Sequence, residues 1–431
     1  MIECSVHNIS KSFGANKIFG NISFEIKTKE KVGLIGPNGV GKSTVLKILM
    51  GKEDCDGEVF FRKGVFPGYL DQIPVYDTSY TGEQVLNLAF ENLRKTGERL
   101  KKIETLMGTG DASEEVLEEY SDLLTEYELK GGYDTEEKLS KVIQGLKIDE
   151  NMLKSLFETL SGGEKTKIIL GKILLEEPPL LLLDEPSNHL DLSTMEWLET
   201  YISQYSGAVV IVSHDRYFLD KAVDKIIELS QNQAYVFHGN YSYFVEEKKR
   251  RYEIALKAYN QNQKDIKRIE EQIKRYRIWG AMRDSEKMYA QAKQLERKLE
   301  KMDKLDKPVL ENKKLKLSGK ETKRTGMEAL TAVNLSKSFA DINLFREVNF
   351  NVYYRDSIGI LGDNGCGKST LLKILLGKMH PDTGNVKLGT NLNIGYIAQI
   401  ISFKDEDKTI LDYFQYKYNI NNQDARNELA K

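Results

Sequence analysis

The sequence of 431 residues contains little cysteine and no long apolar run. Its three cysteines, Cys4, Cys55 and Cys366, lack both the spacing of a metal site and the even number of a disulfide framework. No apolar stretch approaches the ~18 residues of a membrane-spanning helix, and the first residues have neither the basic start nor the apolar core of a signal peptide. These absences argue against a disulfide-rich secreted protein and a membrane protein, and they favour a cytoplasmic one.

Two segments match the phosphate-binding loop GxxxxGKS, residues 36–43 and 362–369, at a spacing of 326 residues. Each follows an apolar run, 32–35 or 358–361, and precedes a helix-like stretch, so each predicts a strand, a loop and a helix N-terminus. In such a loop backbone N–H groups surround phosphates, the lysine reaches the β- and γ-phosphates, and the serine ligates Mg²⁺. The predicted ATP-binding residues are Gly36, Asn38, Gly39, Gly41, Lys42, Ser43, Thr44, Gly362, Asn364, Gly365, Gly367, Lys368, Ser369 and Thr370, with Ser43 and Ser369 also as Mg²⁺ ligands.

The repeat extends beyond the loops. Residues 8–13, NISKSF, recur as NLSKSF at 334–339, and residues 68–72, GYLDQ, recur as GYIAQ at 395–399. An internal repeat of this kind indicates two homologous domains, and the length of the chain allows two or three.

Only the first repeat continues into further motifs. They are LSGGE at 160–164, an apolar run from residue 179 that ends in Asp184 and Glu185, SNHLD at 187–191, and VSHD at 212–215. Asp184 at the end of a strand can deliver a carboxylate to Mg²⁺, and Glu185 can orient or deprotonate the attacking water. The Ser-Gly-Gly run predicts a helix from Glu164, whose N-terminus can approach an anion closely.

The order of these motifs resembles the ATP-binding-cassette family. The resemblance implies that Gln72 senses Mg²⁺ and water, that His214 contacts the γ-phosphate, and that Phe13 stacks on adenine. By the repeat, Gln399 and Phe339 are their counterparts in the second cassette. It further implies that two cassettes close head to tail, so that one cassette's signature residues complete the other's nucleotide site. The signature residues here are Ser161, Gly162 and Gly163.

A basic segment separates the cassettes, because residues 246–325 hold 25 Lys and Arg against 14 Asp and Glu. Apolar residues recur three and four apart, which predicts a helix–helix seam and a return helix, with a turn near residues 279–281. The outbound helix of roughly 33 residues would reach about 50 Å. The predicted outbound seam is Tyr252, Ala255, Tyr259, Asn262, Ile266, Ile269, Ile273 and Tyr276, and the return seam is Met288, Ala292, Leu295, Leu299 and Met302.

The tip of this hairpin combines Arg275, Arg277 and Arg283 with Trp279. Arginines supply phosphate contacts and tryptophan supplies a stacking face, as in RNA-binding surfaces. A solvated spacer is the alternative for the charge run, and closure of the helix ends is the alternative for Trp279. We favour nucleic-acid contact because the charge of the segment is biased to one sign, positive.

Two tandem cassettes, the NHLD sequence at 188–191, no membrane domain and a basic helical linker together resemble the ABC-F family. This resemblance implies a translation factor that binds the ribosome near the tRNA exit site, with the linker contacting rRNA and P-site tRNA near the peptidyl-transferase centre. Some members rescue stalled ribosomes and others displace antibiotics. The alternatives are a soluble transporter ATPase subunit and a DNA-associated cassette ATPase.

Residues 73–159 form an acidic insertion, with 10 Lys and Arg against 19 Asp and Glu. This composition argues against an rRNA-binding surface. We interpret the insertion as the helical subdomain of the cassette, and an additional protein-facing arm is the alternative.

After Gln399 the sequence contains no second signature, no second apolar run that ends in an Asp-Glu pair, and no second histidine that matches His214. We expect a fragment of a longer protein, weak in ATP hydrolysis and monomeric when full length; a natural truncation and a dimer of first cassettes are the alternatives. The predicted fold is α/β, with two P-loop cassettes joined by an antiparallel helical hairpin and the second cassette incomplete. The predicted domains are a first cassette at 1–240 with a helical subdomain at about 73–177, a linker at 241–326, and part of a second cassette at 327–431.

Overall fold

The computed structural model forms two compact units, Met1–Ile254 and Ala255–Lys431. The positions of Gln72, His189 and Gln399 and the side chain of Arg283 lie outside what it describes. The described residues are 1–70, 76–108, 113–188, 190–230, 232–283, 286–303, 305–308, 327–339, 342–390, 392, 394–398 and 408–430, without the side chains of residues 129 and 283.

The first unit contains two sheets and a set of helices. Its strands are β1 (Ile2–Phe13), β2 (Asn16–Lys27), β3 (Lys31–Ile35), β4 (Asp56–Phe61), β5 (Pro67–Leu70), β6 (Leu180–Asp184), β7 (Ala208–Val212), β8 (Lys225–Leu229) and β9 (Ala234–His238). Its helices are α1 (Lys42–Leu49), α2 (Gly82–Asn87), α3 (Glu91–Gly108), α4 (Glu114–Leu129), α5 (Thr135–Gly145), α6 (Glu150–Lys154), α7 (Gly162–Glu176), α8 (Leu192–Gln204), α9 (Arg216–Ala222) and the start of α10 (Tyr241–Arg283).

The larger sheet has the order β5-β6-β7-β3-β8-β9, in which neighbouring strands are parallel except for the antiparallel pair β8 and β9. Strands β6 and β7 are continuous apolar runs because both faces of the sheet are covered, one by helices and the other by α1 and the smaller sheet. Their apolar side chains are fully buried, in two clusters on opposite sides of the sheet. The predicted α/β class is confirmed.

The smaller sheet, β2-β1-β4, is antiparallel and recurs in the second unit. Its counterpart there has the order β11-β10-β12. Irregular positions recur as well, since Asn8 and Asn334 have φ of 50° and 49°. The internal repeat is therefore present in the backbone geometry. The strands of the second sheet are β10 (Glu328–Phe339), β11 (Ile342–Tyr353) and β12 (Thr383–Leu388).

The helices of the second unit are the remainder of α10, α11 (Glu286–Glu300), α12 (Lys368–Leu375), α13 (Ile410–Tyr418) and α14 (Asn422–Leu429). The predicted strand at 358–361 is wrong, because these residues are not in a strand and Leu361 is 88% exposed. In the first unit the equivalent strand β3 pairs with β7 and β8. No strand among the described residues of the second unit pairs with 358–361, so its apolar residues have no sheet to join.

Helices α10 and α11 form the predicted antiparallel hairpin. Ile269, Ile273 and Ala292 are buried at the centre of its seam, and Tyr276, Leu295, Leu299 and Met302 pack around them. The Asn262 side chain donates to the carbonyl of Asp303 at 3.0 Å. Nearer the start of the helix Ala255 is exposed, so the return helix covers only the later part of the predicted seam.

The predicted turn at 279–281 is wrong, because α10 continues to Arg283 and α11 begins at Glu286. Gly280 has a different role inside the helix. A Cβ at this position would lie 3.1 Å from the ring of Tyr289, so glycine allows that ring to pack closely. Among the helices that the structure describes, none is both long and apolar enough to span a bilayer.

Candidate functional site

Three neighbouring parallel strands bring the main motifs to one edge of the larger sheet. In the order β6-β7-β3, they end at Asp184, Val212 and Ile35. Asp184 ends β6 and Glu185 follows it, His214 follows β7, and the first phosphate loop follows β3. Ligands of open α/β sheets bind at the carboxyl ends of the strands. The fold therefore brings together the first phosphate loop, Asp184, Glu185 and His214, which the sequence predicts for one nucleotide site.

The first phosphate loop depends on glycine at its tightest point. Gly41 has φ of 95°, and a Cβ there would lie 2.7 Å from the side chain of Ile18 and 2.8 Å from Phe19. The loop then enters α1 at Lys42, with Ser43 and Thr44 in the first turn. Gly36, Asn38 and Gly39 form the preceding curve. A helix N-terminus behind a curved loop presents backbone N–H groups to an anion.

The Lys42 ammonium is held within its own loop. It donates to the carbonyls of Gly36 at 3.0 Å and Pro37 at 3.2 Å, and the residue is only 9% exposed. Burial lowers the pKa of Lys42, and the charges of Glu185 and Asp184 oppose that shift. The ammonium therefore shares one electrostatic environment with the two acids, which suits a group that neutralises phosphate charge.

Glu185 is held in place by residues 212–215 at the end of β7, which we call the switch segment. Its backbone N–H donates to the carbonyl of Val212 at 2.8 Å. One carboxylate oxygen, Oε2, accepts from the backbone N–H of His214 at 3.3 Å. The other, Oε1, lies 3.6 Å from Nε2 of His214 and is buried without a hydrogen-bond partner among the described residues. A buried carboxylate oxygen without a partner fits a group that binds an additional molecule, such as water.

The environment of Glu185 also alters its acidity. Burial raises the pKa of Glu185, and the hydrogen bond from the His214 backbone together with the charges of His214 and Lys42 lowers it again in part. The Asp184 carboxylate raises it further. A carboxylate with a raised pKa is a better proton acceptor, which is the property required of a general base.

Residues suited to Mg²⁺ occupy two positions at this edge. Ser43 lies in the first turn of α1, and Asp184 ends β6 two strands away. A serine hydroxyl and a carboxylate are oxygen ligands of the kind that Mg²⁺ binds alongside substrate phosphates. The donor set therefore fits the metal.

Several contacts around these groups were not predicted. The hydroxyls of Ser187 and Ser213 lie 3.4 Å apart and connect the turn after Glu185 with the switch segment. Asp215 caps α9 by accepting from the N–H groups of Tyr217 at 2.9 Å and Phe218 at 3.1 Å. An Asp directly before a helical stretch is a capping signal that the sequence does contain.

The predicted adenine-stacking residues are exposed in both repeats. Phe13 is 50% exposed and Phe339 is 47% exposed. Each ring has a lysine ammonium over it, Lys11 at 5.1 Å from the centre of Phe13 and Lys337 at 5.4 Å from that of Phe339. Half-exposed rings of this kind leave part of the ring available for stacking with adenine.

The second phosphate loop has the same local geometry as the first. Gly365 and Gly367 have φ of 83° and 97°. The Lys368 ammonium donates to the carbonyls of Gly362 at 2.8 Å and Asp363 at 2.7 Å. Asn364 lies in the loop, and Ser369 and Thr370 follow in the first turn of α12. All predicted residues of this loop are thus brought together.

A family profile described as "ABC transporter" matches residues 19–188 and 345–428, and an extension profile with the same description matches 227–318. The ATP-binding protein YdiF of Bacillus subtilis is 37% identical over 97% of this chain and 65% of its own length. The ABC transporter F family member 5 of Arabidopsis thaliana is 35% identical over 94% of this chain and 59% of its own length. The chain belongs to the ABC-F family.

Another ABC-F relative is the energy-dependent translational throttle protein EttA of Mycobacterium tuberculosis, 31% identical over 95% of this chain and 73% of its own length. A solved ATP-binding subunit of an ABC transporter aligns at 21% identity and a TM-score of 0.41, over 55% of this chain and 90% of that one. The chain spans 59–65% of the length of the first two relatives above.

The ABC-F signature lies at the start of α7. Ser161 caps this helix, since its hydroxyl accepts from the N–H of Glu164 at 3.4 Å while the Glu164 carboxylate accepts from the N–H of Ser161 at 2.7 Å. The helix begins at Gly162, two residues before the predicted start, because this capping box fixes the first turn. Ser161 and Gly162 are exposed and Gly163 is half-buried.

The tip of the ABC-F linker exposes the predicted contact residues that the structure describes. Arg275 is exposed, and Trp279 is 48% exposed with its ring edge-on to Tyr276 at 6.1 Å. Arg277 is exposed but forms an ion pair with Glu296 at 2.6 Å. Trp279 is thus half-exposed within α10, and Arg277 has a competing partner on α11.

Proposed function

We propose that this ABC-F chain hydrolyses ATP at the first cassette, with Glu185 as the base that orients and deprotonates the attacking water. The carrying observation is the buried Oε1 of Glu185, which has no hydrogen-bond partner among the described residues and lies beside His214. Lys42 neutralises phosphate charge, and His214 contacts the γ-phosphate. Gln72 belongs to the proposed site through the resemblance and lies outside the described residues.

Ser43 and Asp184 would hold the Mg²⁺ that accompanies ATP. When bound, the metal neutralises charge on the β- and γ-phosphate oxygens. The protein's own contribution is positional, since the backbone of the phosphate loop and the His214 N–H group fix the site before substrate binds.

Glu185→Gln tests this assignment. Loss of the proton acceptor should lower ATP turnover by ~10²–10⁴-fold while leaving nucleotide affinity nearly unchanged. Because the pKa of Glu185 is raised, acidification protonates its carboxylate at a higher pH than that of an ordinary glutamate. Turnover of the parent chain should therefore rise with pH through this raised pKa.

Steady-state phosphate release between pH 4 and 8 measures both effects, with fluorescent-nucleotide titration as the affinity control. Glu199→Gln is a matched control, because burial also raises the pKa of Glu199, which lies on α8 outside the motifs of the site. Unchanged turnover in Glu185→Gln would contradict the proposal.

We further propose that the chain is a translation factor that binds the ribosome through its basic linker. The support is membership of the ABC-F family, the name of its relative EttA, a translational throttle protein, and the exposed Arg275 and Trp279 at the hairpin tip. Cationic side chains beside an exposed aromatic ring suit RNA, where phosphates and unstacked bases occur together.

Sedimentation with 70S ribosomes tests this second proposal. Glu185→Gln in ATP should pellet with ribosomes, and Arg275→Ala with Trp279→Ala should reduce the pelleted fraction and weaken its salt dependence. Lys264→Ala with Lys267→Ala removes two exposed charges from the middle of the same helix and is the control. Equal losses in both double variants would indicate unspecific attraction, and an absence of pelleting at low salt would overturn the proposal.

A further inference from the structure

The linker helix α10 has two separate caps at its N-terminus. Asn240, the residue directly before the helix, accepts from the N–H of Tyr243 through its side chain at 3.1 Å. The carboxylate of Asp220 accepts from the N–H of Ser242 at 2.6 Å. Asn240 is the ordinary local cap, whereas Asp220 comes from a different helix, α9. A carboxylate at this end also interacts favourably with the helix dipole.

Helix α9 begins directly after the switch histidine. His214 and Asp215 precede it, and the Asp215 carboxylate caps it. Phe218 and Leu219 in the middle of α9 are buried at 0% and 1% exposure, in the same cluster as Phe244 of α10. The short helix therefore has a firm apolar contact on one side and Asp220 on its last turn.

Other contacts fix the first turns of α10 to the cassette. Phe244 is buried against Phe237, with ring centres 5.0 Å apart. Lys248 forms an ion pair with Glu228 of β8. Glu228 lies opposite Ile35, the last residue of β3 before the phosphate loop. The start of the linker helix thus contacts α9, which follows His214, and β8, which pairs with the strand before the phosphate loop.

We propose that Asp220 is a positioning residue that transmits the nucleotide state from His214 to the first turn of α10. A displacement of His214 by a γ-phosphate moves α9, because the Asp215 cap joins the switch segment to that helix. The Asp220 carboxylate then changes its hold on the Ser242 N–H. This inference rests on the proposed function, since it takes the γ-phosphate contact of His214 from it.

Hydrogen exchange of the backbone amides of residues 242–246 tests the transmission, with and without Mg²⁺ and the non-hydrolysable analogue AMP-PNP. The measured quantity is the ratio of exchange rates in the two conditions. Asp220→Ala removes the cap that comes from α9, and Asn240→Ala removes the local cap of the same helix. Both variants should speed exchange, because the end of the helix frays when a cap is lost. If Asp220 had only a structural role, the ratio of exchange rates with and without nucleotide would be the same in both variants.

The expected result is a nucleotide-dependent ratio in the parent chain and in Asn240→Ala, and a ratio of one in Asp220→Ala. Asp220→Asn, which keeps a side-chain acceptor, should restore part of the dependence. His214→Ala should also bring the ratio to one while preserving the cap. An Asp220→Ala ratio equal to that of the parent would overturn the inference, as would a parent chain without any nucleotide dependence.

Fluorescent-nucleotide titration on the same samples separates this inference from the proposed function. A parent chain that binds no nucleotide contradicts both. Nucleotide bound normally in Asp220→Ala with the parent's ratio retained contradicts the transmission alone. A ratio retained in His214→Ala but lost in Asp220→Ala contradicts the route from the switch histidine.

Discussion

The two phosphate loops have nearly the same local geometry in very different surroundings. Gly41 and Gly367 have φ of 95° and 97°, and each loop lysine donates to the same two carbonyl positions. Yet Leu46 behind the first loop is fully buried, whereas its counterpart Leu372 is 40% exposed. The octamer and its glycines therefore determine the shape of the loop, while burial depends on distant strands.

The two loops also differ in whether catalytic acids lie beside the loop lysine. Lys42 shares its environment with Asp184 and Glu185, which come from another strand of the sheet. Among the described residues of the second unit, no Asp-Glu pair faces Lys368. A loop alone can bind phosphate, but a hydrolytic site needs the neighbouring strands.

The largest expected effect comes from removing each lysine in turn. Lys42→Ala should lower ATP turnover of this chain by ~10²-fold or more, because a buried cation at the developing charge is lost. Lys368→Ala should leave turnover nearly unchanged. Phosphate release by the two variants at saturating ATP measures the difference, and equal losses would show that the two loops are catalytically equivalent.

A smaller effect concerns the residues behind the loops. Leu46→Ala should reduce the free energy of unfolding of the first unit by about 2–5 kcal/mol, as expected for a fully buried leucine. Leu372→Ala should cost about 1 kcal/mol or less, since its side chain is partly exposed already. Pulse proteolysis in urea reports on each unit through its own fragments. A Leu372→Ala cost as large as that of Leu46→Ala would contradict the contrast in burial.

The smallest effect should be the same in both repeats. Asn8 and Asn334 have positive φ in corresponding strands, and asparagine tolerates that conformation better than other L-residues with a Cβ. Asn8→Ala and Asn334→Ala should each cost about 1 kcal/mol. The same proteolysis assay measures them. If the two variants differed in their stability cost by well over this value, the positive φ at these asparagines would depend on the surrounding structure, unlike the shape of the loops.

The sequence was a good guide wherever structure depends on near neighbours. The helices after both loops and the buried Ile269, Ile273 and Ala292 of the hairpin follow from local patterns. The strand at 358–361 could not be predicted reliably, because a buried strand needs partners that no local pattern supplies. Gly280 was misread as a turn because a glycine also permits close packing, here by Tyr289.

The site was predictable in its membership and less so in its supports. Lys42, Asp184, Glu185 and His214 follow from motif order, and the strand order brings them to one edge. The hydroxyl pair of Ser187 and Ser213 joins segments 26 residues apart, so it depends on how β6 and β7 pair. The Ser161–Glu164 capping box was visible in the sequence and would have placed the start of α7 correctly.

The backbone of the first cassette is strained at Glu185. Glu185 has a positive φ of 49°, which is unfavourable for a residue with a Cβ. Such a conformation costs about 1–2 kcal/mol for an L-residue, and glycine would avoid most of that strain. Glu185→Gly would therefore relieve most of this strain, and it would remove the carboxylate of the candidate site. The cassette accepts a permanent loss of stability at the residue proposed to activate water, as strained active sites commonly do.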